Sequence, residues 1–385
     1  MDLTRLSRYS MESRIIAGLH ASSVTGEEVA RLGGGKVLIV TDKGVLGAGL
    51  VEPVTDSLAA QGVQFAVYDE VQPNPTLEVV DNGFHKLQEE GCDSVVALGG
   101  GSSIDAAKII AVLATNGGSA LDYEGPNKFK KLPAPLLAIP TTCGTGAEVS
   151  HGAVVTDPKR RIKTIVAGDA IRPKTVILDP ALLKTLPAFV TAPTGLDALT
   201  HAIESYVSLT ANPFTETFAL GAIELIGQNL RVAVANNDLE ALMNMLVAST
   251  MAGMAFSNSR LGILHAMTDI LGGMYDVPHG MACAILLPPV MEFNLIGSPS
   301  KFAQIAAALG EAVEELTVLE AATCAVDAVA DLIHDVGLSK RLGDIGVEED
   351  ELPEVAEAAM NSVHIACNPR RPTVEDLVSI LHEAY

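Results

Sequence analysis

The first half of this chain repeats one local pattern: a short β-rich apolar run ending in Gly, Asp or Thr, then a stretch with helical apolar spacing. The runs are KVLIVTD (36–42), VQFAVYD (63–69), SVVALGG (94–100), PLLAIPT (135–141) and TVILDP (175–180). Strands alternating with helices are the pattern of a parallel sheet covered by helices on both faces. Such a sheet takes ligands at the carboxyl ends of its strands. After about residue 187 the pattern changes. Segments such as AIELIGQNLRVAVAN and KFAQIAAALGEAVEEL space apolar residues by three and four, and no run reads as a strand. The expectation is an α/β domain over 1–187 and an all-α domain over 188–385, joined near TLPAFVTAPTG.

Composition narrows the function classes. Apolar residues make up 48% of the 385, enough for a large core. The net charge of −22 repels phosphate backbones and anionic lipids, so neither nucleic acid nor membrane is expected as a partner. The start, MDLTRLSRYSMESR, lacks the apolar centre of a signal peptide. The uncharged run Leu242–Ser259 carries Asn, Ser and Thr and reads as a buried helix. Cysteines stand at 92, 143, 283, 324 and 367, an odd number with no CxxC, which fits reduced thiols in a cytoplasmic protein. The acidic GVEEDELPEVAEA reads as a solvated helix start.

VVALGGGSSIDAAK places Gly99, Gly100, Gly101 and Ser102 between a buried strand and a helix. Glycine permits a tight turn and close approach, and the unpaired N–H groups of the helix start favour an anion. The alternative is a plain strand–helix turn. IPTTCGTGAE (139–148) ends the next strand in a second small, hydroxyl-rich loop, and two such loops side by side would clamp a pyrophosphate. Asp42 closes the first strand pattern; a carboxylate there accepts from a ribose diol and repels a 2′-phosphate, favouring NAD over NADP, or else it caps a helix. In the basic run KRRIK (159–163), Lys163 is the member expected to turn towards a phosphate.

In the second half, TGLDALTHAIESY carries Asp197 and His201 at i and i+4, on one helix face. RLGILHAMTDILGGMYDVPHG (260–280) adds His265 within a helical apolar pattern and His279 after Gly-Gly and a Pro, where a new helix is expected to start. Each histidine alone is explicable as a core residue. One carboxylate and three imidazoles together suit Fe2+ or Zn2+, with residual positive charge for a substrate oxygen.

These residues resemble the iron-containing (group III) alcohol dehydrogenases over almost the whole chain. The likeness is carried by GGGSSIDAAK, IPTTCGTGAEVS, TGLDALTHAIESY, FSNSRLGILHAM, YDVPHGMACAILLPPVMEFN and NPR (368–370). The resemblance implies a dinucleotide-binding domain, a helical metal-binding domain and a cleft between them. It implies that Asp197, His201, His265 and His279 bind the metal, that Gly99, Gly100, Gly101 and Ser102 hold the pyrophosphate, and that Asp105, Thr141, Thr142 and Thr145 line the nicotinamide nucleotide. It implies NAD as cofactor, with Asp42 at the position where NAD-preferring members carry Asp, and a homodimer or larger homo-oligomer. The activity implied is NAD-dependent alcohol dehydrogenation or aldehyde reduction. A dehydroquinate-synthase-like lyase and a non-catalytic nucleotide-binding relative are the competing readings.

Two departures bear on substrate. Many members carry a second histidine, a proton-relay candidate, where this chain has Asp269, and most have Gly where it has Arg260. By the same alignment His151 and His364 border the substrate pocket, and either would take over proton transfer. Asp269 is four residues after His265, on the same helical face. Continuing that helix back to Arg260 puts the arginine about 140° away. Arg260, with His151 or His364, is expected to meet an anionic group on a short aldehyde.

Overall fold

The β2 segment Lys36–Val40 shows why the first half forms a sheet: Val37, Leu38, Ile39 and Val40 are all fully buried, so neither face meets water. The computed structural model describes residues 6–160 and 162–385; Met1 to Arg5 of the opening stretch and Arg161 of the basic run lie outside them. The chain divides into two compact units, Met11–Leu186 and Pro187–Tyr385, the second including the segment that ends at Ser10. Tyr9 and Ser10 are held among the helices, whereas the reading of 1–187 as one domain put them with the sheet. Tyr9 stacks on Phe214 and Phe218, and Ser10 N donates to Asn258 Oδ1 at 2.9 Å.

The Met11–Leu186 unit contains a six-stranded sheet in the order β1-β9-β6-β4-β2-β3, every neighbouring pair parallel. Its strands are β1 (Arg14–Ala17), β2, β3 (Gln64–Tyr68), β4 (Ser94–Gly99), β6 (Leu136–Pro140) and β9 (Thr175–Leu178). Five match the apolar runs of the sequence. Strand β1 does not: four residues at a sheet edge, half in water, leave no run to recognise. A second sheet, β5-β8-β7, was also missed. It consists of β5 (Gly125–Pro126), β7 (Gly152–Asp157) and β8 (Ile162–Ala167), the last two an antiparallel pair. Strand β7 alternates half-buried and buried residues, a period-2 signal unlike the fully buried runs.

From β2 the chain steps outward to β3, then returns to β4 and proceeds to β6 and β9 on the other side. The carboxyl ends of β2 and β4 therefore form a topological switch point, where such sheets leave a crevice. Asp42 follows β2, and Gly99 ends β4.

The Pro187–Tyr385 unit is helical. The Ala188–Val207, Pro213–Asn236 and Leu239–Ser259 helices pack on one another, and the Ile263–Tyr275 and His279–Leu295 helices follow. Pro213–Asn236 and Leu239–Ser259 are long and apolar enough to cross a membrane; 33% of the apolar window in the first and 56% in the second is buried within the fold. Close approach is bought by glycine. A Cβ on Gly280 would lie 2.3 Å from Pro193 O, so only glycine lets the His279–Leu295 helix rest its first turn on the Ala188–Val207 helix.

Candidate metal and nucleotide sites

In the sheet unit the Gly-rich loop and the hydroxyl-rich loop interlock. A Cβ on Gly101 would come 2.7 Å from Thr145 Cγ2, and one on Gly100 would touch Thr142 at 3.4 Å. Thr141 N donates to Gly99 O at 3.0 Å. Gly99 has φ +155, and its Cβ would strike Ser103 Oγ at 2.5 Å. Gly100 is the N-cap of the Gly101–Asn116 helix and offers no side chain to its N–H groups. The first-turn amides, including that of Ser102, are left for an anion. This cradle, which side chains would fill, fits a dinucleotide pyrophosphate.

Asp42 both caps and faces the turn. Its Oδ1 accepts from Val45 N at 3.0 Å, while Oδ2 lies 3.4 Å from where a Gly99 Cβ would be. Asp105 turns inward. Its Oδ2 accepts from Val154 N at 2.9 Å and its Oδ1 from Lys108 Nζ at 3.3 Å. Lys108, fully buried, also donates to Ser150 Oγ at 2.8 Å and Gly152 O at 2.7 Å. The sequence reading passed over it; it pins the Gly-rich helix to the segment after the second loop. Burial raises the Asp105 carboxyl and lowers the Lys108 ammonium, each opposed by the other's charge. Lys163, on β8 opposite Thr156, is half-buried, and its charge reaches Asp105. Arg160 of the same basic run pairs with Asp157 at 2.6 Å and Glu124 at 3.0 Å. His151 precedes β7, and its carbonyl accepts from Gly168 N at 2.9 Å.

In the helical unit, four side chains converge on Asp197 Oδ1: His279 Nε2 at 3.6 Å, His201 Nδ1 at 3.7 Å, His265 Nε2 at 3.9 Å and Cys283 Sγ at 3.6 Å. The rings of His201 and His265 stack at 4.6 Å, and Phe256 also stacks on His201 at 4.6 Å. Burial would raise the Asp197 carboxyl, but His201, His279 and His265 outweigh it and hold it low. Burial, with His201 and His279, keeps His265 well below its usual range and therefore neutral.

Glu204 is the principal residue the sequence reading missed. Its Oε2 sits 2.6 Å from His265 Nδ1, and its Oε1 accepts from Leu264 N at 2.8 Å. An Nδ1–H donated to this carboxylate leaves the lone pair on Nε2, which is buried and makes no hydrogen bond. A basic nitrogen buried without a hydrogen bond beside a carboxylate and further imidazoles fits a divalent cation. The signal was present in TGLDALTHAIESY: Asp197, His201 and Glu204 fall at i, i+4 and i+7. Cys283, four residues after His279, carried a similar one. The NPR motif braces this region from behind, since Asn368 Oδ1 accepts from Ile263 N at 3.3 Å and Asn294 Nδ2 at 3.1 Å.

Arg260 departs from the sequence reading. It lies at the end of the Leu239–Ser259 helix with φ 61 and ψ 179, two residues short of the next helix, so no helical wheel relates it to His265. That backbone region suits glycine and costs an arginine about 1–3 kcal/mol. Its guanidinium lies close enough to His364 to depress it. Burial is the larger cause, while Asp269 and Glu204 pull the other way. His364 Nδ1 is buried with no hydrogen-bond partner. The charges of Arg260 and Asp269 thus both reach His364; His151 belongs to the other unit.

Comparison with known proteins agrees with this chemistry. The iron-containing alcohol dehydrogenase family matches residues 12–180, and the family's C-terminal domain matches residues 191–385. The 1,3-propanediol dehydrogenase of Citrobacter freundii is 41% identical over 384 residues, covering 99% of each chain. A solved 1,3-propanediol oxidoreductase superposes with a TM-score of 0.97 at 41% identity, over 99% of this chain and 100% of the other. Sulfoacetaldehyde reductase of Bifidobacterium kashiwanohense, solved with NAD+, gives 0.90 at 27% identity over 99% of both. With both halves of the chain matched and the fold shared, the protein belongs to the iron-containing alcohol dehydrogenases, oxidoreductases that act on CH–OH groups with NAD and a divalent metal.

Proposed function

We propose that the protein interconverts a short alcohol and its aldehyde using NAD(H) and a divalent metal, Fe2+ or alternatively Zn2+, and that its aldehyde carries a carboxylate, sulfonate or phosphonate. The observation that carries the reading is the donor ring round Asp197 Oδ1 with His265 Nε2 unpartnered in it. Asp197, His201, His265 and His279 would hold the metal, with Glu204 keeping His265 in the ligating tautomer. When bound, the metal supplies Lewis-acid charge to the substrate oxygen, and the nicotinamide supplies the hydride chemistry. Gly99, Gly100, Gly101 and Ser102 would bind the pyrophosphate, with Thr141, Thr142 and Thr145 beside it and Lys163 as a further cation. Asp105 acts through Lys108 as a positioning residue. His364 Nδ1 is the atom assigned to take the alcohol proton, and Asp269 orients that ring; His151 is the alternative carrier. We place the enzyme in the cytoplasm as a homodimer or larger homo-oligomer.

Asp42 would accept from the ribose diol. Asp42→Gly should raise kcat/KM with NADPH at least tenfold (about 1.4 kcal/mol) relative to NADH, at a cap cost of only a few tenths of a kcal/mol. A wild-type enzyme that already uses both cofactors equally would refute the assignment.

Arg260 supports the anionic substrate: a strained backbone holds a guanidinium whose charge reaches His364. A relative named for sulfoacetaldehyde reduction has the same fold. Arg260→Ala should lose about 1.5–3 kcal/mol of kcat/KM on anionic aldehydes and little on neutral ones of equal length. Arg260→Gly should lose the same selectivity yet gain thermal stability, because its backbone relaxes. Equal, small losses on both substrates would remove the anionic reading.

A further inference from the structure

The donor atoms of Asp197, His265, His279 and Cys283 all lie within 4.8 Å of one another, a group that includes the thiol and omits His201. Cys283 is fully buried on the His279–Leu295 helix, one turn after His279, so both side chains leave the same helix face. Its Sγ donates to Asp197 Oδ1 at 3.6 Å. A second, independent feature points into the same space: His265 Nε2, buried and without a hydrogen bond.

We propose that Cys283 is a ligand for a thiophilic divalent ion at this site, and that it biases the site towards Zn2+ or Co2+ over Fe2+. The inference rests on the reading of Asp197, His201, His265 and His279 as ligands and adds a fifth donor of different chemistry. A carboxylate, three imidazoles and a sulfur form a mixed N/O/S set from ligand types zinc accepts, and sulfur raises selectivity for borderline-soft ions. On binding, the S–H bond breaks, the sulfur's electron pair goes to the metal and the proton leaves to solvent; no electron is transferred. With a harder ion the thiol stays protonated and keeps its contact to Asp197. The two ions then see different sites in the same protein.

The probe is Co2+, added to the full-length protein stripped of metal by a chelator. The wild type should show cobalt ligand-field bands together with an intense near-ultraviolet sulfur-to-cobalt charge-transfer band. Cys283→Ser should keep the ligand-field bands and lose the charge-transfer band, while Cys367→Ser keeps both. Competition titrations should show Zn2+ affinity falling about tenfold or more in Cys283→Ser, with Fe2+ affinity changed by less than about threefold. Ligand-field bands without the charge-transfer band in wild type would overturn the proposal and leave the metal site standing. Failure of Co2+ to bind at all would instead remove the site reading on which it rests. Should Cys283→Ser not fold, the wild-type and Cys367→Ser spectra decide the matter: the band's absence from the first, or its loss in the second, counts against Cys283.

Discussion

His265→Ala should lose its metal and nearly all turnover while still binding NADH. The imidazole supplies the buried Nε2 of the donor ring, and alanine offers no donor atom in its place. A metal's charge on a reacting oxygen is worth several kcal/mol, and each 1.36 kcal/mol or so is tenfold in rate. The expected fall in kcat is therefore on the order of a thousandfold or more. The variant also leaves Glu204 buried without the ring at 2.6 Å, so some loss of stability accompanies the loss of metal. The nucleotide cradle is built from residues of the Met11–Leu186 unit, and NADH affinity should stay within about twofold of wild type. Metal content by plasma mass spectrometry, NADH binding by fluorescence titration and steady-state rates together check this. Full turnover by metal-stripped wild type, or a normal metal content in the variant, would defeat the assignment.

Lys108→Met should destabilise the sheet unit by about 3–5 kcal/mol, the usual consequence of removing one partner of a buried ion pair. Methionine matches the lysine stem in length but leaves Asp105 Oδ1, Ser150 Oγ and Gly152 O without their shared donor. The loss should also depend on pH. Burial already raises the Asp105 carboxyl, and without the ammonium it rises further. A raised folded pKa means the native state keeps a proton that the unfolded chain has released. Stability is then fully present below the unfolded value of about 3.9 and falls as pH climbs through the raised one. Urea titrations followed by circular dichroism, the chain having no tryptophan, should show the variant weakening from acid to neutral pH more steeply than wild type. A loss below about 1 kcal/mol, or one independent of pH, would mean that Asp105 finds another partner.

Lys108 also marks a limit of reading the chain. In GGGSSIDAAK it stands as the last residue of a phosphate-type loop, and a lysine there invites a role at the ligand. The structure turns it away from solvent, because the helix face bearing Asp105 and Lys108 is the one that meets β7. Which face a helix buries depends on what packs against it. The four central strands, β2, β4, β6 and β9, were legible because burial on both faces demands continuous apolar runs, and edge strand β3 by its β-rich composition, whereas β1 and the β7–β8 pair, each touching water on one side, left weaker traces. Arg260 was misplaced for a related reason. The pattern before His265 looks helical, and only the positive φ at Arg260 ends one helix before the next begins.

By itself the sequence determined what is periodic or adjacent in the chain: the parallel sheet, the helical second half, the glycine turn after β4, and Asp197 and His201 one helical turn apart. Those features follow from 3.6 residues per turn, from strand burial and from the freedom of glycine. Only the tertiary structure decided that Glu204 reaches His265, that Cys283 joins Asp197, and that the Arg260 charge reaches His364. These pairs lie from 61 to 104 positions apart in the chain. Their distances are set by helix packing, by the absent Cβ at Gly280 and by the strained turn at Arg260, none of which has a local signature in the chain.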